Sequence, residues 1–263
     1  MNGPAQRPRP VGRGIGQVTY SSAVRRANPH QQWPVTVAAV CRPAARVARV
    51  TLAADHLRTM TRAGADEYFG LVLPGPDSAD PLSGQVVRWY TYRAHRPDAG
   101  EVDVDMVLHG DEGPGSAWAA RTQPGDRLAI KAGRSIYTPP AGEPQVLLAD
   151  ETSAPALAAI GDWLRAGDYP TDRITAYLEA PDRDCLVEEA WPFPVTVLGR
   201  EGHPGEAVLR KLRELPLTGA ESAWACGESR LATQARRYLL GPANLDRRKV
   251  AFSGYWKVGQ AKT

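Results

Sequence analysis

From Val35 to Leu52 the chain reads VTVAAVCRPAARVARVTL, a β-branched run of alternating apolar and polar positions that breaks at Pro43. The pattern predicts two strands joined by a turn or bulge. EYFGLVLPG, QVVRWYTYRAH and GEVDVDMVLHG follow, each a short strand pattern bounded by Gly, Pro or Asp. PGDRLAIKAG (Pro124–Gly133) adds another after a Pro-Gly-Asp turn. About six strands at this spacing predict an antiparallel barrel.

The pattern changes at Gln145. QVLLAD is continuously apolar, SAPALAAIGDWLRAG carries an apolar face at i, i+3 and i+4, and RITAYLEA returns to a strand, together a βαβ unit. PVTVLGRE, EAVLRKLREL, SAWACGES, RLATQARRYLL and KVAFSGYW continue the alternation, as expected of a parallel sheet with helices on both faces. Between the regimes, YTPPAGEP (Tyr137–Pro144) supplies a Pro-Pro pair and a glycine. The expected class is β plus α/β, with a barrel over residues 17–140 and a Rossmann-like domain over 141–263. Residues 1–16, MNGPAQRPRPVGRGIG, lack a hydrophobic face and are expected to be a flexible leader.

Composition narrows the function classes. At 263 residues, with 43% hydrophobic and 23% charged residues, the chain suits two globular domains. No stretch approaches a membrane span and no signal peptide is recognisable, so a soluble cytoplasmic protein, expected monomeric, is the reading. Cys41, Cys185 and Cys226 are dispersed and odd in number, which fits reduced thiols better than disulfides or a metal site. A net charge of +3 does not by itself imply nucleic acid, and no nucleic-acid partner is expected.

The segment Arg88-Trp89-Tyr90-Thr91-Tyr92-Arg93 concentrates chemistry on one strand. Alternation sends Arg88, Tyr90 and Tyr92 to one face and Trp89, Thr91 and Arg93 to the other. An arginine pairs with a pyrophosphate, an aromatic ring covers a flat heterocycle and a hydroxyl bonds a ring edge, although a cross-strand ladder uses the same residue types. Arg88-x-Tyr90-Thr91-x-Arg93, followed by GEVDVDMVLHG and GPGSAWA, resembles the FAD-binding signature of siderophore-interacting proteins. That resemblance implies FAD on the barrel, held by Arg88, Tyr90, Thr91, Asp105, Val107, His109, Ser116 and Trp118. Taken alone, Asp105 also reads as an acid paired with an arginine, His109 as a core or surface histidine, and Trp118 as a core anchor.

In the second half, Asp150-Glu151-Thr152-Ser153-Ala154-Pro155 opens the first βα turn, where a Rossmann-like domain brings a nucleotide over a helix N-terminus. No Gly-x-Gly-x-x-Gly stands there. Asp-Glu-Thr-x-x-Pro resembles the same family's version of this turn, which places Asp150 and Thr152 near flavin and nicotinamide; helix capping is the alternative. Trp224-Ala225-Cys226-Gly227-Glu228 is similar to the family's strand end, with Cys226 where Ala is common, beside the hydride path or simply packed. Gly254-Tyr255-Trp256-Lys257-x-Gly259 resembles its ending, which puts Tyr255 or Trp256 by the isoalloxazine and Lys257 by an anionic iron complex.

The family implies an FAD-dependent ferric-siderophore reductase driven by NADPH or NADH, with a ferric siderophore or other small molecule as acceptor. A biosynthetic redox enzyme or flavin reductase, or an FAD-containing binding protein without turnover, are the alternatives. Glu179 suits the ribose hydroxyls of NADH, whereas Arg183 and Arg200 suit the 2′-phosphate of NADPH. A reduced ferredoxin is a further possible donor.

Overall fold

The computed structural model describes residues 31–73, 86–108, 113–140, 142–187, 191–217 and 220–260. The expected leader and His109 lie outside the described residues. The first half contains β1 (Gln32–Ala44), β2 (Val47–Ala53), β3 (Tyr68–Leu73), β4 (Val86–Thr91), β5 (Ala94–Arg96), β6 (Glu101–Val107), α1 (Pro114–Arg121) and β7 (Arg127–Arg134). The second contains β8 (Gln145–Asp150), α2 (Ala154–Ala166), β9 (Ile174–Ala180), β10 (Val195–Gly199), α3 (Glu206–Glu214), β11 (Ser222–Glu228), α4 (Ser229–Leu240) and β12 (Val250–Trp256).

Among the described residues seven antiparallel strands, one more than the alternation suggested, form a sheet in the order β4-β3-β7-β1-β2-β6-β5. The extra one is three-residue β5, too short to leave a periodic signal. The β1–β2 register slips between Cys41 and Ala44, so Pro43 sits where a missing N–H breaks no ladder bond. Beyond β4 the Arg93 N–H donates to the Asp103 carbonyl of β6 at 2.9 Å, and the sheet curls back on itself. Leu52, Phe69, Leu71, Val104 and Leu128 fill its interior, all fully buried. Each contributes about 1.5–3 kcal/mol.

The second sheet is parallel, in the order β10-β9-β8-β11-β12. One core packs α2 (Leu157, Ile160, Leu164) on one face, and another packs α3 and α4 (Leu212, Leu231, Leu239) on the other. Strand order reverses between β8 and β11, so their carboxyl ends flank the crevice in which such sheets bind ligands. No helix among the described residues is long and apolar enough to cross a membrane.

Contacts among the described residues join the two halves. Buried Asp66, after β2, accepts the Tyr137 N–H at 3.0 Å and the Trp224 indole N–H of β11 at 3.0 Å. Arg93 donates to Asp162 of α2 at 2.6 Å. Arg46, in the β1–β2 turn, pairs with Asp182 while its N–H meets the Asp184 carbonyl at 2.8 Å.

Candidate functional site

On the barrel, β4 and α1 bring Arg88, Tyr90 and Ser116 together. The segment GPGSAWA opens α1, with Pro114 in the first turn and Gly113 as an N-cap that offers no side chain. Helix N-termini of this kind present backbone N–H groups to anions. A Cβ at Gly115 would fall on the Tyr90 hydroxyl, so only glycine lets α1 approach β4 this closely. Arg88 donates to the Val87 carbonyl at 2.9 Å and has no carboxylate partner among the described residues. Burial raises the Tyr90 phenol far above its ordinary pKa, so it stays a neutral hydrogen-bonding group.

Trp118 points elsewhere. It is 4% exposed in the barrel core, which makes it the anchor of α1 rather than a ring offered to a ligand. Tyr92 likewise stacks on Phe69 at 4.2 Å inside the barrel. Asp105, also buried, takes a bidentate pair from Arg49 at 2.6 and 2.7 Å, directly across the β2–β6 register. The arginine-paired reading of Asp105 therefore describes its geometry, on a strand rather than at a turn.

Where barrel and second domain meet, Tyr255 of β12 stands beside Thr91 of β4 and Cys226 of β11, and burial pushes its phenol well above its ordinary pKa. Burial pushes the Cys226 thiol well above its usual pKa, with Asp66 adding to the effect, so it is not a ready nucleophile.

Beside them Asp150 acts as a hub. One oxygen accepts Thr152 N–H at 3.0 Å and its hydroxyl at 2.6 Å; the other accepts Glu228 N–H at 2.7 Å and the Trp256 indole at 2.9 Å. Gly227, at φ +137°, leaves room for this carboxylate. Asp150 and Thr152 thus bind strand ends to one another and do not cap α2, whose N-cap is Ser153.

Arg200, expected to be a phosphate ligand, is held by two buried acids, Glu151 by a short ion pair and Glu179 at 3.1 Å. Glu179, expected to meet ribose, instead accepts the Gly205 and Ala207 N–H groups at 2.7 and 2.9 Å, at the N-terminus of α3. Burial, followed by the charge of Asp150, raises the Glu151 carboxyl to about 7, against the opposing pull of Arg200. Its Oε1 has no hydrogen-bond partner among the described residues.

Glu151, Asp105 and Val107 border an interdomain cleft of about 630 Å³ whose other walls include Pro155, Arg183 and Trp191. Lys257 follows β12 and is exposed.

The comparisons with known proteins meet this geometry. The profile of the siderophore-interacting FAD-binding domain matches residues 36–135, and that of siderophore-interacting proteins matches residues 143–259. A siderophore utilization protein from T. fusca, of known structure, is 30% identical and superposes with a TM-score of 0.73 over 89% of this chain and 96% of its own. The chain belongs to the siderophore-interacting protein family.

SipS, a siderophore-interacting protein from Aeromonas hydrophila, is 27% identical, with a TM-score of 0.74 over 88% of this chain and 93% of its own. Ferric vibriobactin reductase ViuB from Vibrio cholerae serotype O1 is 29% identical over 190 residues, 68% of each chain. The barrel's residues fit the flavin of the family in their chemistry: the guanidinium of Arg88 has no carboxylate partner among the described residues, and Gly115 packs the start of α1 against Tyr90 of the same strand.

The Glu151–Arg200–Glu179 cluster and the Arg49–Asp105 pair were not read as such from the sequence. The one signal for the second is positional, since Arg49 and Asp105 stand opposite each other once β2 and β6 are aligned.

Proposed function

We propose that this siderophore-interacting protein is an FAD-dependent ferric-siderophore reductase, oxidising a reduced pyridine nucleotide and releasing Fe(II) from a ferric siderophore. The observation that carries the reading is the meeting of Thr91, from the FAD-binding strand, with Cys226 and Tyr255, from the carboxyl end of the parallel sheet. A group held on the barrel and a nucleotide held at the sheet's switch point are thereby brought side by side.

FAD, when bound, supplies the conversion of a two-electron hydride donor into one-electron transfers. Arg88 and the α1 N-terminus with Ser116 would hold its pyrophosphate, Tyr90 and Thr91 would contact it from β4, and Val107 would meet it from the cleft side. Thr152, locked by Asp150, and Cys226 shape the nucleotide side as neutral groups. Tyr255 and Trp256 close the seam, and Lys257 draws an anionic iron complex towards it. In the overall balance one nucleotide gives up a hydride, two Fe(III) become two Fe(II), and one proton is released. Fe(II) is the weaker partner for hard oxygen ligands, so the siderophore lets it go.

Turnover of reduced nucleotide against a panel of ferric siderophore, ferric citrate and free flavin, with Fe(II) trapped by a chromogenic chelator, tests the assignment. The expected result is preferential turnover with the siderophore. Preference for free flavin, or a yellow protein that turns over none of them, would overturn it.

A further inference from the structure

We propose that the second domain selects NADH over NADPH, because the arginine at its strand ends is already neutralised by the Glu151–Arg200–Glu179 cluster. The inference rests on the reading above only for its nucleotide donor and is independent of the iron acceptor.

A 2′-phosphate is a near-dianion and needs a cation with uncompensated charge. In sheets of this topology the adenosine ribose lies by the carboxyl end of the second strand, here Glu179 and Ala180 of β9. The cation bonded into that place is Arg200, immediately after β10, whose N–H donates to the Ala180 carbonyl at 2.9 Å. Its guanidinium bonds Glu151 and Glu179, both fully buried, and only 17% of its side chain is exposed. Pulling it towards a phosphate would strand two buried carboxylates, a larger loss than an exposed phosphate contact returns. Arg183, three residues past β9 and on the cleft wall, is the competing cation: of its chain neighbours Asp182 pairs with Arg46, so the test includes Arg183. An unphosphorylated 2′-hydroxyl makes no such demand.

Anaerobic bleaching of the FAD-loaded protein by NADH and by NADPH gives the donor ratio, and calorimetric titration with 5′-AMP and adenosine 2′,5′-bisphosphate gives the binding ratio without turnover. We expect both to favour the unphosphorylated form by on the order of tenfold. In Glu151→Gln, which keeps an acceptor for Arg200 but removes a charge, both ratios should narrow through a gain for the phosphorylated form. Preference for NADPH in the wild type would overturn the inference alone, and its loss in Arg183→Ala would reassign the phosphate to that residue. Ratios in Glu151→Gln equal to the wild type would equally reject the cluster as the selector. Bleaching by neither donor would overturn the functional reading together with the inference.

Discussion

In the barrel half of the site, Arg88 makes one bond to its own strand, and the first turn of α1 is left without a side-chain cap. In the second domain the comparable charged groups are committed: Asp150 holds three strand ends, and Glu179 and Arg200 hold α3 and each other. One half keeps polar capacity in reserve for a ligand. The other uses it to hold the crevice in shape, so what it offers a nucleotide is mostly backbone, hydroxyl and steric form. Substitutions of similar chemistry should therefore damage ligand binding in the first half and folding in the second.

The largest effect expected is at Asp150. Asp150→Ala leaves the Glu228 and Thr152 N–H groups and the Trp256 indole without their acceptor. Each buried polar group so stranded costs about 1–3 kcal/mol, and two or more approach the whole stability of a typical domain. Thermal melting with far-ultraviolet circular dichroism should show loss of the second domain's cooperative transition or a fall in Tm above about 10 °C. Thr152→Ala, which removes one hydroxyl, should stay folded and slow only bleaching by the nucleotide. An Asp150→Ala protein with wild-type Tm would erase the contrast between the halves.

Arg88→Ala is the matching test on the barrel. With no ion pair to break, it should melt near the wild-type temperature yet lose FAD affinity roughly ten- to a hundredfold, or about 1.5–3 kcal/mol for a charge-assisted contact. Flavin content of the purified protein and titration of the apoprotein would measure it. Unchanged FAD occupancy would remove Arg88 from the site.

A smaller effect is expected in the pH dependence of stability. Glu151 is packed with Asp150, Arg200 and Glu179 and borders the cleft with Arg183, Asp184, Cys185 and Asp105. Its carboxyl rises to about 7 in the fold, chiefly from burial. Between the ordinary carboxylate range and pH 7 the folded protein therefore holds a proton that the unfolded chain has shed. Its contribution is fully present below the unfolded pKa and is lost as pH rises through about 7. Glu151→Gln should flatten this slope, with Tm gaining on the wild type from pH 5 to pH 8 by the equivalent of about 1–2 kcal/mol. Parallel curves for the two proteins would place Glu151 outside that titration.

The sequence made the barrel side readable because Arg88, Tyr90 and Thr91 lie within one strand, where alternation and spacing carry their relation. The succession of strand and helix patterns from QVLLAD onward made the parallel sheet equally legible. Gly113-Pro114-Gly115-Ser116 carries no helical period of its own, and the helix it opens appears only once Gly115 is packed on Tyr90. The carboxylate cluster is invisible for another reason. Glu151 and Arg200 are separated by 49 residues and Arg200 and Glu179 by 21, and only the parallel registers of β8, β9 and β10 bring them together. For the same reason the sequence assigned Glu179 and Arg200 to a nucleotide before their partners in the fold were visible.

The smallest effect is expected at Lys257, which stands outside both halves on the exposed turn after β12. It has no ion-pair partner among the described residues and attracts an anionic ferric complex equally in the ground state and at electron transfer. Removing uniform binding of that kind raises KM and leaves kcat in place. Lys257→Ala should accordingly raise KM for an anionic ferric siderophore by about two- to fivefold, the range of an exposed charge contact, while nucleotide-driven bleaching of FAD is unchanged. Because the contact is exposed, added salt should raise the wild-type KM towards that of the variant, as screening shortens the reach of the ammonium to about 8 Å at physiological ionic strength. A wild-type KM indifferent to salt and equal to that of Lys257→Ala would detach this residue from the acceptor. The attraction would then have to come from the reserve of positive charge at Arg88 and its surroundings, on the barrel half.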